Sequence, residues 1–281
     1  MRLSARLNLL AFQLYNFLHY RRLEVFGNIC LETYSPCNRV CSCCPVGYDK
    51  RPVKKMSDEL FRRIIDQLAA RKYAGEICFH FYNEPLLDKR LLEFVGYAHS
   101  KCPKSYIYFA SNGDYVDIGT FRKLVQAGLS SIRLNQYDKE PAPNLKEFLV
   151  QAGERDKPFF IHNVKVIEEF PHWMNRAGNV PKLRIQEPLR RRCIRPERQL
   201  VINAEGKVAQ CCCDYYAAGG LGDASRENVF DIWRSEEFKR LRALLREGRR
   251  SEISLCKACD WFEETIAFPL KRPESIQVDR R

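Results

Sequence analysis

From residue 28 onward, short runs rich in β-branched and aromatic residues alternate with longer stretches of helical periodicity. The runs predict strands at 28–34 (NICLETY), 76–82 (EICFHFY), 104–110, 130–136, 158–164 and 182–187. Between the first two, Ser57 stands where a helix cap is needed, and Asp58 and Glu59 fall in the favourable first turn. Leu60, Ile64, Ile65 and Leu68 then share one face of that helix. Further helices are predicted over 88–101, 117–127 and 144–153, with a short piece at 171–178. Repeated strand–helix units with right-handed crossovers make a parallel sheet. Six of them predict an α/β fold of the partial (β/α)6 barrel type.

The pattern changes after residue 190. Arg190, Arg191 and Arg192 precede Cys193, and RQLVINAEGKVAQCC reads as a hairpin turning at Ala204, Glu205 and Gly206. Ser235 starts a further helix that Gly248 closes, and a compact loop over 249–263 carries Cys256 and Cys259. The expected division is an N-terminal amphipathic helix (1–27), a barrel (28–190), a small cysteine-rich hairpin/helix domain (191–265) and a basic tail (266–281). Near the N-terminus, Leu3, Leu7, Leu10, Leu14 and Phe17 fall on one helical face, which predicts packing on the body of the domain. Asn8, Gln13 and Asn16 interrupt the apolar stretch, and no small-x-small cleavage site follows. With no apolar run long enough to cross a bilayer, neither export nor a transmembrane segment is expected.

The 281 residues are 45% hydrophobic and 29% charged, which excludes disordered and collagen-like classes and leaves enough chain to bury a core without covalent staples. The net charge of +12 points toward anionic partners. The basic residues are nevertheless scattered and no groove-reading motif accompanies them, so no nucleic-acid partner is expected. Thirteen cysteines change the picture more than the charge does. Four lie within 37–44, three run consecutively at 211–213, and two form the C-x-x-C of 256–259. A disulfide scaffold would be shorter and denser, so metal or cluster ligation is the better reading, and thiol clusters of this kind fit a reducing cytoplasm.

Cys37, Cys41 and Cys44, spaced C-x3-C-x2-C, directly follow the first predicted strand, at the barrel mouth where active sites of β/α barrels gather. Three soft ligands leave one metal corner open for chemistry. A zinc knuckle is the plainer alternative. The spacing and its position resemble the signature of radical S-adenosylmethionine (SAM) enzymes. That resemblance implies that Cys37, Cys41 and Cys44 hold three irons of a [4Fe-4S] cluster whose fourth iron chelates the amino and carboxylate groups of SAM. Cys43 stands where the family usually has an aromatic residue near the adenine. Tyr82-Asn83-Glu84-Pro85 resembles the family's Gly-Gly-Glu-Pro, which implies a SAM-binding role for Asn83 and Glu84. Ser111-Asn112-Gly113 resembles its Thr-Asn-Gly turn and adds Ser111 and Asn112. Asn135 and Gln136 end the fourth strand, where a polar SAM contact is frequent.

Cys193, Cys211, Cys256 and Cys259 form C-x17-C-x44-C-x2-C, a closed four-thiol set that suits zinc or [4Fe-4S]. Together with Gly206, Leu221-Gly222 and Trp233 it resembles the short SPASM/Twitch-type extensions that bind one auxiliary [4Fe-4S] cluster. The resemblance covers about residues 28–263 and implies reductive cleavage of SAM to a 5′-deoxyadenosyl radical, fed by an electron donor such as flavodoxin or ferredoxin. It further implies hydrogen abstraction from an unactivated carbon of a small-molecule or peptide substrate. The four-cysteine form is similar to that of aminocyclitol dehydrogenases, so dehydrogenation of an aminocyclitol- or sugar-like substrate, with the auxiliary cluster as electron acceptor, is favoured. The alternatives are an epimerase with Cys213 as hydrogen donor, a peptide-modifying enzyme, a tRNA-modifying radical enzyme and a zinc-binding nucleic-acid module.

Overall fold

Alternation of side chains along six parallel strands decides the architecture. In this computed structural model, which describes residues 3–20, 25–170 and 173–262, the strands are β1 (Asn28–Leu31), β2 (Glu76–Cys78), β3 (Tyr106–Ser111), β4 (Ser131–Gln136), β5 (Phe160–Val164) and β6 (Gln199–Ile202). The short β7 (Val208–Ala209) completes one sheet in the order β5-β4-β3-β2-β1-β6-β7, parallel except for the β6–β7 hairpin. Ile29, Leu31, Ile77, Ile107, Phe109, Ile132 and Leu134 are buried together on one face. The intervening Asn28, Cys30, Glu76, Tyr108, Arg133 and Asn135 line a cavity on the other. Closed β/α barrels fill that interior with branched apolar residues; here it is polar, and space is left for a ligand.

Helices α2 (Asp58–Ala70), α3 (Leu91–Lys101), α4 (Ile118–Gln126) and α5 (Pro143–Gln151) cover the apolar face. Ser57 and Asp117 cap α2 and α4 by accepting the backbone N–H of Leu60 (3.1 Å) and Thr120 (2.8 Å). Phe61, Ile64, Ile65 and Leu68 form the buried stripe of α2, and Phe61 stacks on Phe94 of α3.

Three expectations are corrected. The sixth parallel strand is not 182–187, where the backbone makes a single 3₁₀ turn at Pro181–Leu183 and then runs irregularly. It is β6, the first arm of the hairpin, which pairs with β1 along Asn28↔Gln199 to Leu31↔Ile202. The cysteine-rich segment therefore continues the barrel sheet. The second correction concerns α1 (Leu3–Tyr20): Leu7, Leu10, Leu14 and Phe17 are exposed, while Phe12 and Asn16 face inward, Phe12 against Ile194. The apolar stripe is thus not the packing face. The third lies at the helical piece expected over 171–178: residues 173–178 are irregular and turn, not helix, while 171–172 lie outside the described residues, as does the tail from 263.

The C-terminal part adds the one-turn α6 (Arg195–Arg198), then α7 (Val229–Trp233), α8 (Glu236–Arg246) and α9 (Ser254–Lys257). Ser235 caps α8 as expected, accepting from Phe238 N at 3.3 Å. The hairpin turns at Asn203–Gly206, where Gly206 takes φ +84° and Asn203 N–H donates to Lys207 O at 3.0 Å.

Candidate active site

The loop after β1 brings Cys37, Cys41 and Cys44 to the cavity, all three half-buried and unbridged. It is tightly wound: Cys44 N–H donates to Cys41 O at 3.1 Å, and Gly47 N–H to Cys44 O at 2.9 Å. A side chain on Gly47 would sit 2.3 Å from the Cys41 carbonyl oxygen, so only glycine fits there. Burial, reinforced by the neighbouring Cys43, Cys44 and Cys37 thiols, pushes Cys41 up to about 12. Burial likewise raises Cys37 and Cys44. Three soft donors in mutual electrostatic contact are a set that iron binding would relieve, because ligation deprotonates them. The donor set fits a cluster with an open corner.

The two loops across the mouth are tied to each other by Glu84. Its side chain is 1% exposed, and both oxygens are engaged: Leu86 N–H donates to Oε1 at 3.1 Å and Asn112 N–H to Oε2 at 2.8 Å. Burial pushes its carboxyl up to about 7. Glu84 therefore clamps the end of β2 to the turn after β3. Asn112 in turn donates to Asn38 Oδ1 at 2.9 Å and approaches Cys37 Sγ at 3.9 Å. Ser111 Oγ accepts the Gly113 N–H at 3.0 Å, with Gly113 at φ +80°. Asn83 uses its carbonyl to accept Phe81 N–H at 2.9 Å, while its buried Nδ2 has no partner. An orphaned donor on a cavity wall is a position a polar ligand satisfies. Asn83, Glu84, Ser111 and Asn112 all line the cavity, as does Asn135; Gln136 instead donates to Asp138 O and Lys139 O, both at 2.9 Å.

The cavity has a volume of about 570 Å³, in the range of small-molecule sites. Asn28 ties its floor together, donating to Glu76 Oε2 at 2.7 Å and to the Tyr108 hydroxyl at 2.9 Å. Arg198 reaches the same Glu76 at 3.3 Å.

On the C-terminal side, Cys193, Cys256 and Cys259 are buried and Cys211 is half-buried. Burial pushes Cys256 up to about 12, with Cys193 and Cys213 adding to the effect; a hydrogen bond with Cys213, then burial, raises Cys211, whereas a hydrogen bond with Cys213 lowers Cys259. The segment before α6, the hairpin and the α9 loop bring the four thiols into one neighbourhood: Cys193 lies in the field of Cys256, and Cys211 and Cys259 flank Cys213, while no three of them already stand in a metal-holding arrangement among the described residues. Buried Arg250 lies beside them and donates to Cys259 O at 3.3 Å. Cys213 is 1% exposed and packs among Ala177, Cys211 and Cys259, away from the cavity wall. The cavity is reached instead by Cys212, whose Sγ accepts a hydrogen bond from Arg195 and whose carbonyl accepts the Tyr82 hydroxyl at 2.9 Å. Sequence reasoning passed over Cys212 because the run of three cysteines gives no hint of which one faces inward. It also missed Arg51, which stacks 4.5 Å over Tyr215 and pairs with buried Glu32 beneath the cysteine loop.

Comparison with known proteins places this geometry. The pattern described as the radical SAM superfamily matches residues 31–137, and that of SPASM, an iron–sulfur cluster-binding domain, matches 193–260. The chain thus carries a radical SAM domain followed by a SPASM-type iron–sulfur cluster-binding domain. Its cofactors are accordingly a [4Fe-4S] cluster, SAM and an auxiliary iron–sulfur cluster. It is 28% identical over 240 residues to the S-adenosyl-L-methionine-dependent 2-deoxy-scyllo-inosamine dehydrogenase of Niallia circulans, covering 84% of this chain and 94% of that protein. A crystal structure of BtrN in complex with AdoMet and 2-DOIA superposes with a TM-score of 0.78 at 28% identity, covering 85% of this chain and 94% of the other. A structure of anSMEcpe with bound AdoMet shares the fold at 12% identity and a TM-score of 0.55, covering 83% and 85%. No described helix is long and apolar enough to cross a membrane.

Proposed function

We propose that this enzyme dehydrogenates a hydroxyl-bearing carbon of a small polar ring, aminocyclitol- or sugar-like, and passes the second electron to the auxiliary centre. The observation that carries the reading is the four-thiol set of Cys193, Cys211, Cys256 and Cys259, joined to a polar barrel cavity through the adjacent Cys212. A fully thiolate-ligated centre has no vacant iron, so it relays electrons and leaves the substrate to the cavity. The 28% identical relative carries the name of an aminocyclitol dehydrogenase and supports the same reaction class.

When bound, SAM and its cluster supply hydrogen-atom abstraction, and the auxiliary cluster supplies a one-electron sink. The chain's own residues do the rest. Cys37, Cys41 and Cys44 are assigned to the SAM-binding cluster. Asn83 offers its free Nδ2 to SAM, while Glu84, Ser111 and Asn112 fix the two loops that shape its cradle. The Asn28–Glu76–Tyr108 network holds hydrogen-bonding groups at the floor, where a polyol would be oriented. A low-potential donor such as flavodoxin or ferredoxin and a reducing cytoplasm complete the picture. Reconstituted enzyme with SAM, dithionite and a panel of cyclitols and sugars tests the reading. A product two hydrogens lighter, with one 5′-deoxyadenosine per turnover, supports it; no 5′-deoxyadenosine with any partner defeats it.

Epimerisation is the second reading, and one observation favours it: Cys212, not Cys213, presents a thiol to the cavity. Solvent deuterium in an otherwise unchanged product, lost in Cys212→Ala, would establish that alternative.

A further inference from the structure

The cavity wall is more basic than an amine-bearing substrate would want. Six arginine or lysine side chains line it, against two carboxylates, Glu76 and Glu84. Glu84 is occupied by two backbone N–H groups. Three of the cations are also accounted for. Arg39 pairs with Asp114 and Asp138 at 2.6 and 2.7 Å, Arg198 with Glu76, and Arg195 meets Cys212. Arg133, Lys165 and Arg176 line the same space and form no ion pair among the described residues. Loading adds negative charge of its own, one carboxylate from SAM and the thiolates of Cys37, Cys41 and Cys44 around their cluster, which can account for Arg176, already in the field of Cys44 and Cys212.

Arg133 is the best placed for substrate. It lies midway along β4, opposite Ala110 of β3, and its guanidinium sits 4.6 Å over the Tyr108 ring. Tyr108 is itself anchored by Asn28. A guanidinium held over a ring by its face keeps its N–H edge free for a partner, and that edge can grip an oxyanion with two parallel hydrogen bonds. Lys165 follows directly after β5 on the neighbouring strand, with its backbone N–H on Gln136 O at 2.8 Å. Resting on the dehydrogenase reading above, we propose that the ring substrate carries an oxyanion, phosphate or carboxylate, bound by Arg133 with Lys165 on the same wall. An inosamine, cationic at neutral pH, would meet this wall with the wrong sign.

Isothermal titration of the anaerobic, cluster-loaded enzyme with SAM present tests this, using myo-inositol, 2-deoxy-scyllo-inosamine, myo-inositol 1-phosphate and glucuronate as probes. The expected result is that the phosphate or the uronate binds about tenfold or more tighter than myo-inositol, in line with one or two charge-assisted hydrogen bonds. The preferred probe tells phosphate from carboxylate. Arg133→Gln should shrink that ratio to about threefold or less, Arg133→Lys should keep part of it, and rising salt should erode it in the unmutated enzyme. The salt series gives its answer even where a variant fails to fold. Tightest binding of the inosamine, no binding of either anionic probe, or a ratio indifferent to both salt and Arg133→Gln would overturn the proposal. Formation of 5′-deoxyadenosine is scored separately. Its absence with every probe counts against the dehydrogenase reading, whereas its appearance with the inosamine alone counts only against the oxyanion.

Discussion

The two thiol sets are built in opposite ways. Cys37, Cys41 and Cys44 come from one short loop, stay half-exposed and face a cavity. Cys193, Cys211, Cys256 and Cys259 come from three separate segments and meet largely within the interior. A loop that carries its own ligands can fold around a cluster without committing the rest of the chain. A set gathered from distant segments makes cluster binding part of tertiary folding. The first arrangement suits a reactive, open centre, and the second suits a closed relay that also pins the hairpin to the α9 loop. This difference sets the order of expected effects.

The largest effect separates the two sets by function. Cys41→Ala should lower 5′-deoxyadenosine formation by about a thousandfold or more while leaving about half of an expected eight irons per chain in place. Iron and labile-sulfide counts beside product chromatography check this. Equal iron loss from both centres would dissolve the distinction between them. Next comes stability. Cys256→Ala should remove the auxiliary cluster and lower the thermal midpoint by about 5 °C or more, whereas Cys41→Ala should shift it less. Anaerobic calorimetry of the two variants reads the contrast directly.

A smaller effect concerns the clamp between the loops. Burial holds the Glu84 carboxyl at about 7, above its ordinary 4.5, so folding of the cofactor-free protein takes up a proton there. The stability linked to this group is present below about 4.5 and is lost as pH rises through about 7. Glu84→Gln should flatten that part of the pH–stability curve. It should also cost about 1–3 kcal/mol, because the amide can no longer accept both N–H bonds. SAM affinity should fall through the loosened turn at Ser111–Asn112, with iron content unchanged. The smallest effect lies far from either centre: Ser57→Ala removes the α2 cap for about 0.5–2 kcal/mol and should leave SAM cleavage untouched.

Local signals account for what could be read in advance. Strands β1 to β5 announce themselves by short β-rich runs, and α2 and α8 by their serine caps and spaced apolar residues. Cysteine spacing suggests both proposed ligand sets, since ligand type and loop length are sequence properties. What escaped is what only pairing decides. KLRIQE has strand-like composition but no neighbour, while QLVI at 199–202 reads as one arm of a hairpin although its other edge lies along β1. The stripe on α1 has the right period, yet burial falls on Phe12 and Asn16 instead. The facing of Cys212 rather than Cys213, and the convergence of Arg133, Lys165 and Arg176 on one cavity, depend on residues far apart in the chain.

The central claim is that the closed thiol set accepts an electron rather than the cavity thiol returning a hydrogen. Mass spectrometry of the product made in deuterated water measures that choice. The account predicts a product two hydrogens lighter than its substrate, with no deuterium fixed at the reacting carbon. A product with the substrate's own skeleton and one deuterium at that carbon would contradict it.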